Sequence, residues 1–134
     1  MGATAEGTFQ MKEWGETPCC EDSGGALKMT RASAKAAFRG GLEGEGATEH
    51  VMMYREDKSA TFVGLTRFVG RLEEREGSFV LQSSGTFDPA THTAKCDWIV
   101  VPDSGTGDLK GLAGKGRFEA PGILAEYSLE YELK

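Results

Sequence analysis

The clearest pattern of apolar and polar positions is a pair of apolar runs, within 60–88, on either side of a charged turn at 73–77. Both runs are rich in Phe, Val, Leu and Thr, the residue types that pack well on a pleated surface. Gly64, Gly70 and Gly85 interrupt them, and a glycine inside a strand usually marks a bend, a bulge or a close backbone approach. The pattern predicts a β-hairpin in a tightly curled sheet.

Alternating runs elsewhere in the chain predict further strands. They lie at 6–14, 27–39, 43–55, 95–101 and 123–134, and the glycine-dense segment 104–116 adds a bend and a narrow strand. The run 27–39 also contains good helix formers. Its residues Thr30, Ala32, Ala34, Ala36 and Phe38 share one face of an extended strand, so we predict a strand there.

About eight strands in a meander predict an all-β fold, a small closed antiparallel up-and-down barrel. The 134 residues suit one domain, which we place at 1–134. An eight-stranded barrel has an interior that is filled by side chains or holds one small ligand. The interior is therefore where a site is expected.

Hairpin geometry predicts which side chains share the interior, because residues opposite each other across a turn lie on one face. With Asp57 and Lys58 as a two-residue turn, Glu49 lies opposite Thr66 and Met53 lies opposite Phe62. A turn centred on Arg75 and Glu76 sets Phe68 opposite Ser83, and a four-residue loop at 89–92 sets Trp98 opposite Ser83. The predicted ligand-binding residues are Glu49, Met53, Phe62, Thr66, Phe68, Leu81, Ser83 and Trp98.

Glu49 is the candidate catalytic residue, since a carboxylate inside a barrel is costly to ionise and its raised pKa would suit an acid, a base or a ligand anchor. Thr66 and Ser83 would orient a carbonyl or hydroxyl group. The alternatives are a rim Glu49 in water, hydroxyls bonded to each other, and Trp98 in ordinary core packing. A bulge in either hairpin would exchange the two faces.

The opposite face, with His50, Met52, Val63, Leu65 and Val69, is too apolar to be bathed in water. It predicts a homo-oligomer packed barrel to barrel. Arg31 is expected to be exposed, with pairing to Glu49 or to an anionic ligand as alternatives.

The charge balance argues against nucleic acid as a partner, because 15 Lys and Arg stand against 21 Asp and Glu and phosphate binding needs a basic stripe. The longest apolar runs span a few residues, far fewer than the ~20 that cross a bilayer. The N-terminal residues lack the features of an export signal. We therefore expect a cytoplasmic protein without a membrane partner.

The cysteines Cys19, Cys20 and Cys96 are an odd number with one adjacent pair, which does not form a disulfide framework. We interpret them as free thiols, with soft-metal binding or a redox switch at Cys19 and Cys20 as the alternative. His50 and His92 are the only histidines, so no metal site and no cofactor are expected.

Several sequence blocks occur in a familiar order: LKMTRAS, FRGGLEGEGATEHVMMYR, ATFVGLTRFVGRL, GSFVLQSSGTFD, VVPDSGTGDLKGLAGKGRF and YSLEYEL. Over nearly the whole chain they resemble a bacterial family of unknown function, the DUF3224 type, whose structures look like the allene oxide cyclase barrel. The resemblance implies an eight-stranded antiparallel barrel of the allene oxide cyclase or calycin kind, often oligomeric, and no settled activity.

Two functions remain open. The first is a binding barrel that encloses a small, largely apolar molecule and holds it through Glu49, Thr66 and Ser83. The alternative is a cyclase or isomerase that acts on a reactive intermediate, as allene oxide cyclases or dirigent proteins do, by holding the substrate in a reactive shape away from water. A filled interior would instead favour a structural role.

Overall fold

The computed structural model describes residues 2–18 and 28–133, and the pair Cys19 and Cys20 lies outside them. Within this part of the chain the strands are β1 (Ala3–Pro18), β2 (Lys28–Gly40), β3 (Leu42–Tyr54), β4 (Ala60–Leu72), β5 (Arg75–Asp88), β6 (Thr93–Val100), β7 (Thr106–Gly107), β8 (Leu112–Ala120) and β9 (Leu124–Leu133). Among the described residues, no helix has the length and apolar character needed to span a membrane.

The sheet closes on itself. β1 pairs antiparallel with both β2 and β9, and the remaining long strands pair in the order β2, β3, β4, β5, β6, β8 and β9. The two-residue β7 is an extra strand that pairs with the start of β5. The predicted all-β, closed antiparallel barrel of eight strands is therefore confirmed.

Alternation of small or apolar residues with polar ones sets the two faces of β2 and β9. On β2 the predicted face of Thr30, Ala32, Ala34, Ala36 and Phe38 is buried throughout. On β9 the alternating residues Tyr127, Leu129 and Tyr131 are buried, while Glu126, Ser128, Glu130 and Glu132 take the positions between and beside them. A period of two is what a strand needs to bury one face.

The strand β1 extends four residues beyond its predicted end at position 14, through a bulge between Lys12 and Gly15. Glu13 adopts a positive φ of 54° at this point. Because a bulge adds one residue to one strand, it exchanges the faces of the residues that follow. Glu16 consequently pairs with the buried Ala32 and faces the interior.

The predicted register of β3 on β4 is wrong by one residue. Thr48, and not Glu49, lies opposite Thr66, and Met52 lies opposite Phe62. The turn is longer than two residues: the Lys58 amide donates to the Arg55 carbonyl, the Arg55 amide donates to the Ser59 carbonyl, and Lys58 has a φ of 75°. This is a three-residue loop with a left-handed residue, a common hairpin connection.

A shift of one residue moves every side chain of β3 to the other face. Glu49 and Met53 therefore lie on the outer face, and the prediction that they line the interior is wrong. His50 and Met52, which were expected outside, are buried within the barrel.

The register of β4 on β5 also differs from the prediction, but by an even number of residues. The turn is formed by Glu73 and Glu74, and Phe68 lies opposite Phe79 in place of Ser83. An even shift leaves each side chain on its face, so Thr66, Phe68 and Ser83 point inward as predicted. The predicted pairing of Ser83 with Trp98 is confirmed.

Tyr127 ties the closing strands to the β2–β3 corner. Its hydroxyl oxygen accepts a 2.8 Å hydrogen bond from the Leu42 amide and donates one of 2.8 Å to the Arg39 carbonyl oxygen. Burial raises the pKa of this hydroxyl to about 12. Gly7 lies directly beside the Tyr127 hydroxyl: a Cβ built on Gly7 would be 2.6 Å from the hydroxyl oxygen.

Candidate functional site

Bulky rings fill the lower half of the barrel interior, toward the end at which β1, β3 and β5 begin. The centroids of neighbouring rings are 4.9 to 6.4 Å apart. The cluster comprises Phe9, Phe38, Phe68, Phe79, Phe118, Tyr127 and, at its upper edge, Trp98. These rings pack edge to face, tilted or, for Phe9 and Trp98, stacked, as core aromatics do, so this half is an ordinary hydrophobic core.

Small and polar residues line the upper half, toward the end at which β1, β3 and β5 finish and β2 and β4 begin. The small residues with inward positions are Ala32, Ala34, Ala60, Gly64, Ser83 and Ala94. The buried polar side chains there are Thr30, Thr48, His50, Thr66 and Ser83. Met52 and Phe62 are also buried in this half, and Tyr54 and Phe87 pack against the same hydrophobic cluster.

His50 is the one buried titratable base in the described part of the chain, with 4 % of its surface exposed. Its ring packs against Phe62 with centroids 5.0 Å apart and planes inclined by 32°. Burial lowers the pKa of the imidazole to about 4, and the nearby Glu49 carboxylate opposes this only weakly. The ring is therefore neutral near pH 7, and its Nε2 atom has no hydrogen-bond partner among the described residues.

Ser83 is almost fully enclosed, with 1 % of its surface exposed. Its Oγ atom is likewise without a partner in residues 2–18 and 28–133. The neighbouring Cys96 thiol donates to the carbonyl oxygen of Asp97 at 3.3 Å. Burial raises the pKa of this thiol to about 11, although the adjacent Ser83 side chain opposes part of that rise. Cys96 is therefore a protonated thiol next to Ser83, and the Ser83 hydroxyl makes no hydrogen bond of ordinary geometry within the described residues.

The hydroxyls of Thr48 and Thr66 bind each other. Their Oγ1 atoms are 2.8 Å apart across β3 and β4. Both residues are buried, and the mutual hydrogen bond satisfies one donor and one acceptor between them. Thr66 thus has a partner in place, unlike Ser83.

A carboxylate at the upper end connects three strands. Glu16 Oε2 accepts 2.5 Å hydrogen bonds from the Thr30 and Tyr54 hydroxyls, and Oε1 accepts one of 3.1 Å from the Trp14 indole. Burial alone would raise the pKa of Glu16, but the bonds from Thr30, Tyr54 and Trp14 outweigh it and lower that pKa. Lys28 Nζ lies 5.4 Å from the centre of the Tyr54 ring. Glu16 is therefore a charged, well-satisfied cross-link.

Glu49 lies on the outer surface. Its Oε1 atom accepts a hydrogen bond from Arg31 Nε at 3.0 Å, and about half of its side chain is exposed. Hydrogen bonds from Ser33 and Arg31 lower its pKa, the opposite of the predicted rise. Arg31 is exposed, as expected, and the pairing with Glu49 that was its alternative is also present, outside the barrel.

The other predicted ligand-binding residues divide between the two halves. Phe68 and Leu81 belong to the packed lower core, whereas Phe62, Thr66 and Ser83 face the upper half and Trp98 lies between the two. Whether these side chains contact a ligand stays a prediction.

The family follows from a match over most of the chain. A family model described as "Protein of unknown function (DUF3224)" matches residues 5–131. The chain belongs to this family. The crystal structure of a DUF3224 protein of unknown function from Shewanella oneidensis MR-1 is similar, with 27 % sequence identity, a TM-score of 0.84 and coverage of 100 % of this chain and 99 % of that one. No curated protein matches the chain.

The family match confirms the DUF3224 family that the sequence blocks predicted. The likeness to allene oxide cyclases stays a prediction. In the described residues of this DUF3224 barrel, no group of three or more His, Cys, Asp or Glu side chains is arranged to hold a metal ion.

Sequence reasoning missed His50 as an interior residue of this DUF3224 barrel, although a signal was present. Glu43, Glu45 and Glu49 occupy the same face of β3. Three carboxylates on one face of a strand indicate that this face meets water. That pattern places the alternate residues Thr48 and His50 inside without any assumption about the turn.

Proposed function

We propose that the protein binds a small, largely apolar molecule in the upper half of the barrel. The observation that carries this proposal is the pair of buried polar atoms, His50 Nε2 and Ser83 Oγ, that face this half and have no partner within the described residues. A buried polar group without a hydrogen bond costs about 1–3 kcal/mol. A bound molecule that supplies the missing hydrogen bonds would recover this energy.

The lining supports a mostly apolar ligand. Alanines supply much of the wall, Phe62 and Met52 add apolar surface, and Trp98 closes the lower side. Ligand sites are typically apolar with a few placed polar groups. A neutral histidine and a serine hydroxyl are groups of that kind, and both lie on rigid strands.

The acid–base route through Glu49 is not proposed again, because that carboxylate lies outside the barrel beside Arg31. A cyclase or isomerase would have to act through shape and through the neutral His50. Binding requires nothing beyond the side chains described above, so it is the function that the geometry supports best.

Self-association of the barrels is a second proposal about the same chain. Leu65, Gln82 and Ile99 form one row across β4, β5 and β6, and Val63 lies beside it next to Val51. Val63, Leu65 and Ile99 are each about half exposed. Light scattering of the protein and of Leu65→Ser tests this: a homo-oligomer that the substitution dissociates supports it, and a monomeric parent contradicts it.

Ligand binding is tested with a neutral lipophilic dye and with a pair of matched variants. Ala34 is buried in the upper half, whereas Ala47 is exposed on the adjacent strand. Ala34→Leu should abolish dye binding by filling the space, while Ala47→Leu should leave it unchanged. Circular dichroism checks that both variants fold, and Ala32→Val provides a milder filling variant. Equal dye binding by the parent and both filling variants would contradict an interior site.

A further inference from the structure

We propose that the buried end of the bound molecule is a single uncharged oxygen-bearing group, a carbonyl, alcohol or phenol, held jointly by the imidazole edge of His50, which lies over Gly64, and by the Ser83 hydroxyl. This inference rests on the binding function proposed above and specifies its ligand. It specifies which chemical group the buried end of the ligand carries, because the apolar lining alone does not decide this.

The three residues lie in one row of the sheet. His50 on β3 is paired with Gly64 on β4, and Gly64 is paired with Ser83 on β5. Neighbouring strands are about 4.8 Å apart, so the Cα atoms of His50 and Ser83 are separated by roughly 9–10 Å with only a glycine between them. The row therefore presents one polar side chain on each side of a gap.

The imidazole ring leans into that gap. A Cβ placed on Gly64 would be 2.5 Å from His50 Cδ2, so the ring covers the position that a side chain at 64 would occupy. Nε2 is bonded to Cδ2 in imidazole, which means that the edge over Gly64 carries the unpartnered nitrogen. Packing against Phe62 holds the plane of the ring.

Ser83 faces the same gap from the other side. Its hydroxyl and His50 Nε2 are each more than nine-tenths buried, and they make no hydrogen bond to each other or to any other described residue. A carbonyl oxygen can accept from both groups, and a hydroxyl or phenol can donate to one and accept from the other. One oxygen atom would therefore satisfy both.

The charges of the described interior determine whether the bound group of the ligand is neutral or ionised. The buried polar side chains of the described interior are three threonines, two serines and His50, and the imidazole is neutral near pH 7 because burial lowers its pKa to about 4. A carboxylate bound beside His50 and Ser83 would have no buried cation to compensate its charge, which is a large penalty in an apolar interior. The pair should therefore reject carboxylates.

The test compares four probes with one carbon skeleton: naphthalene, naphthol, naphthaldehyde and naphthoate. Affinities are measured by titration against the intrinsic fluorescence of the protein, in the parent and in Ser83→Ala, His50→Leu and the matched control Ser84→Ala. Ser84 is the next residue of the same strand and is exposed. Because Ser84 points away from the interior, its replacement should change no affinity.

In the parent and in Ser84→Ala, naphthol and naphthaldehyde should bind at least about tenfold more tightly than naphthalene, and naphthoate should bind most weakly. Ser83→Ala and His50→Leu should each reduce this preference severalfold while naphthalene binding is kept. Equal affinities for naphthalene and naphthol in the parent, or a preference that both variants retain, would overturn the inference and leave ligand binding intact. Failure of all four probes to bind would count against both.

Discussion

Thr48 and Thr66 lie directly opposite each other on β3 and β4, and their hydroxyl oxygens form a buried 2.8 Å hydrogen bond. We expect Thr48→Val or Thr66→Val alone to destabilise the protein by about 1–3 kcal/mol, because each leaves one buried hydroxyl unpaired. The double variant should be less destabilised than the sum of the two single changes. Urea unfolding gives the free energy of unfolding of the parent, the two single variants and the double variant. If the two single losses simply add in the double variant, the hydrogen bond between the threonines is contradicted.

Ser83 should behave differently, since its hydroxyl has no partner in the described protein. Ser83→Ala is expected to leave the stability of the ligand-free protein unchanged or to raise it by about 1 kcal/mol, because the change removes an unsatisfied buried group. Thermal unfolding beside the exposed control Ser84→Ala measures the effect. A loss of about 1 kcal/mol or more for Ser83→Ala alone would show that the hydroxyl is already satisfied.

His50 should make the fold sensitive to mild acid. Its pKa is lowered by burial from 6.5 to about 4, so the unfolded chain binds a proton that the folded one does not between these values. The contribution of the neutral His50 to the free energy of unfolding is fully present above about pH 6.5. It decreases by about 3 kcal/mol in all as the pH falls toward 4.

His50→Leu should therefore lose less stability than the parent between about pH 7 and pH 4. Denaturant unfolding at about pH 7 and about pH 4 gives the free energy of unfolding of each protein, and the loss between the two pH values is compared between the parent and His50→Leu. His92→Asn, at an exposed turn position with a φ of 54°, is the control and should follow the parent. Parallel behaviour of the parent and His50→Leu would rule out a neutral buried imidazole.

Glu16 should stabilise the upper end of the barrel through its three hydrogen bonds. Glu16→Gln is expected to cost about 1–2 kcal/mol near pH 7, because the bonds from Thr30 and Tyr54 lose their charge assistance. The pKa of Glu16 is lowered from 4.5, so its contribution is present above that value and disappears as the pH falls below it.

Unfolding of Glu16→Gln and of the exposed control Glu74→Gln at neutral and acid pH measures this contribution. The deficit of Glu16→Gln should shrink in acid, whereas Glu74→Gln should match the parent at neutral pH. A deficit for Glu16→Gln that stays constant down to about pH 3 would contradict a charge-assisted cross-link.

Gly7 should tolerate no side chain. A Cβ there would overlap the Arg39 carbonyl oxygen and lie 2.6 Å from the Tyr127 hydroxyl oxygen, whereas a Cβ at Gly122 would meet nothing within 4 Å. Gly7→Ala should cost about 2 kcal/mol or more by forcing strands β1 and β2 apart. Gly122→Ala is the matched substitution and should be close to neutral. Similar melting temperatures for both variants would show that the barrel adjusts.

The fold could be predicted from sequence because the alternation of Thr30 through Phe38 and of Tyr127 through Tyr131 is local and uninterrupted. Closure by β1 on β9 follows from the number of strands. The site depended on two details that alternation does not contain: the left-handed conformation of Lys58, which sets the register of β3, and the bulge at Glu13, which turns Glu16 inward. Glu13 and Lys58 both have a positive φ. Glycine is the residue that usually marks this conformation in a sequence, and neither position is a glycine.

The length of the loop at residues 56–58 therefore has a consequence far from where it lies. With this length, an imidazole and a threonine hydroxyl project into the barrel interior while carboxylates point to water. A turn shorter or longer by one residue would present the carboxylates instead, with every residue of the strand unchanged. Within such a family, insertions and deletions at an exposed tip would be a direct way to alter the chemistry offered to a guest molecule.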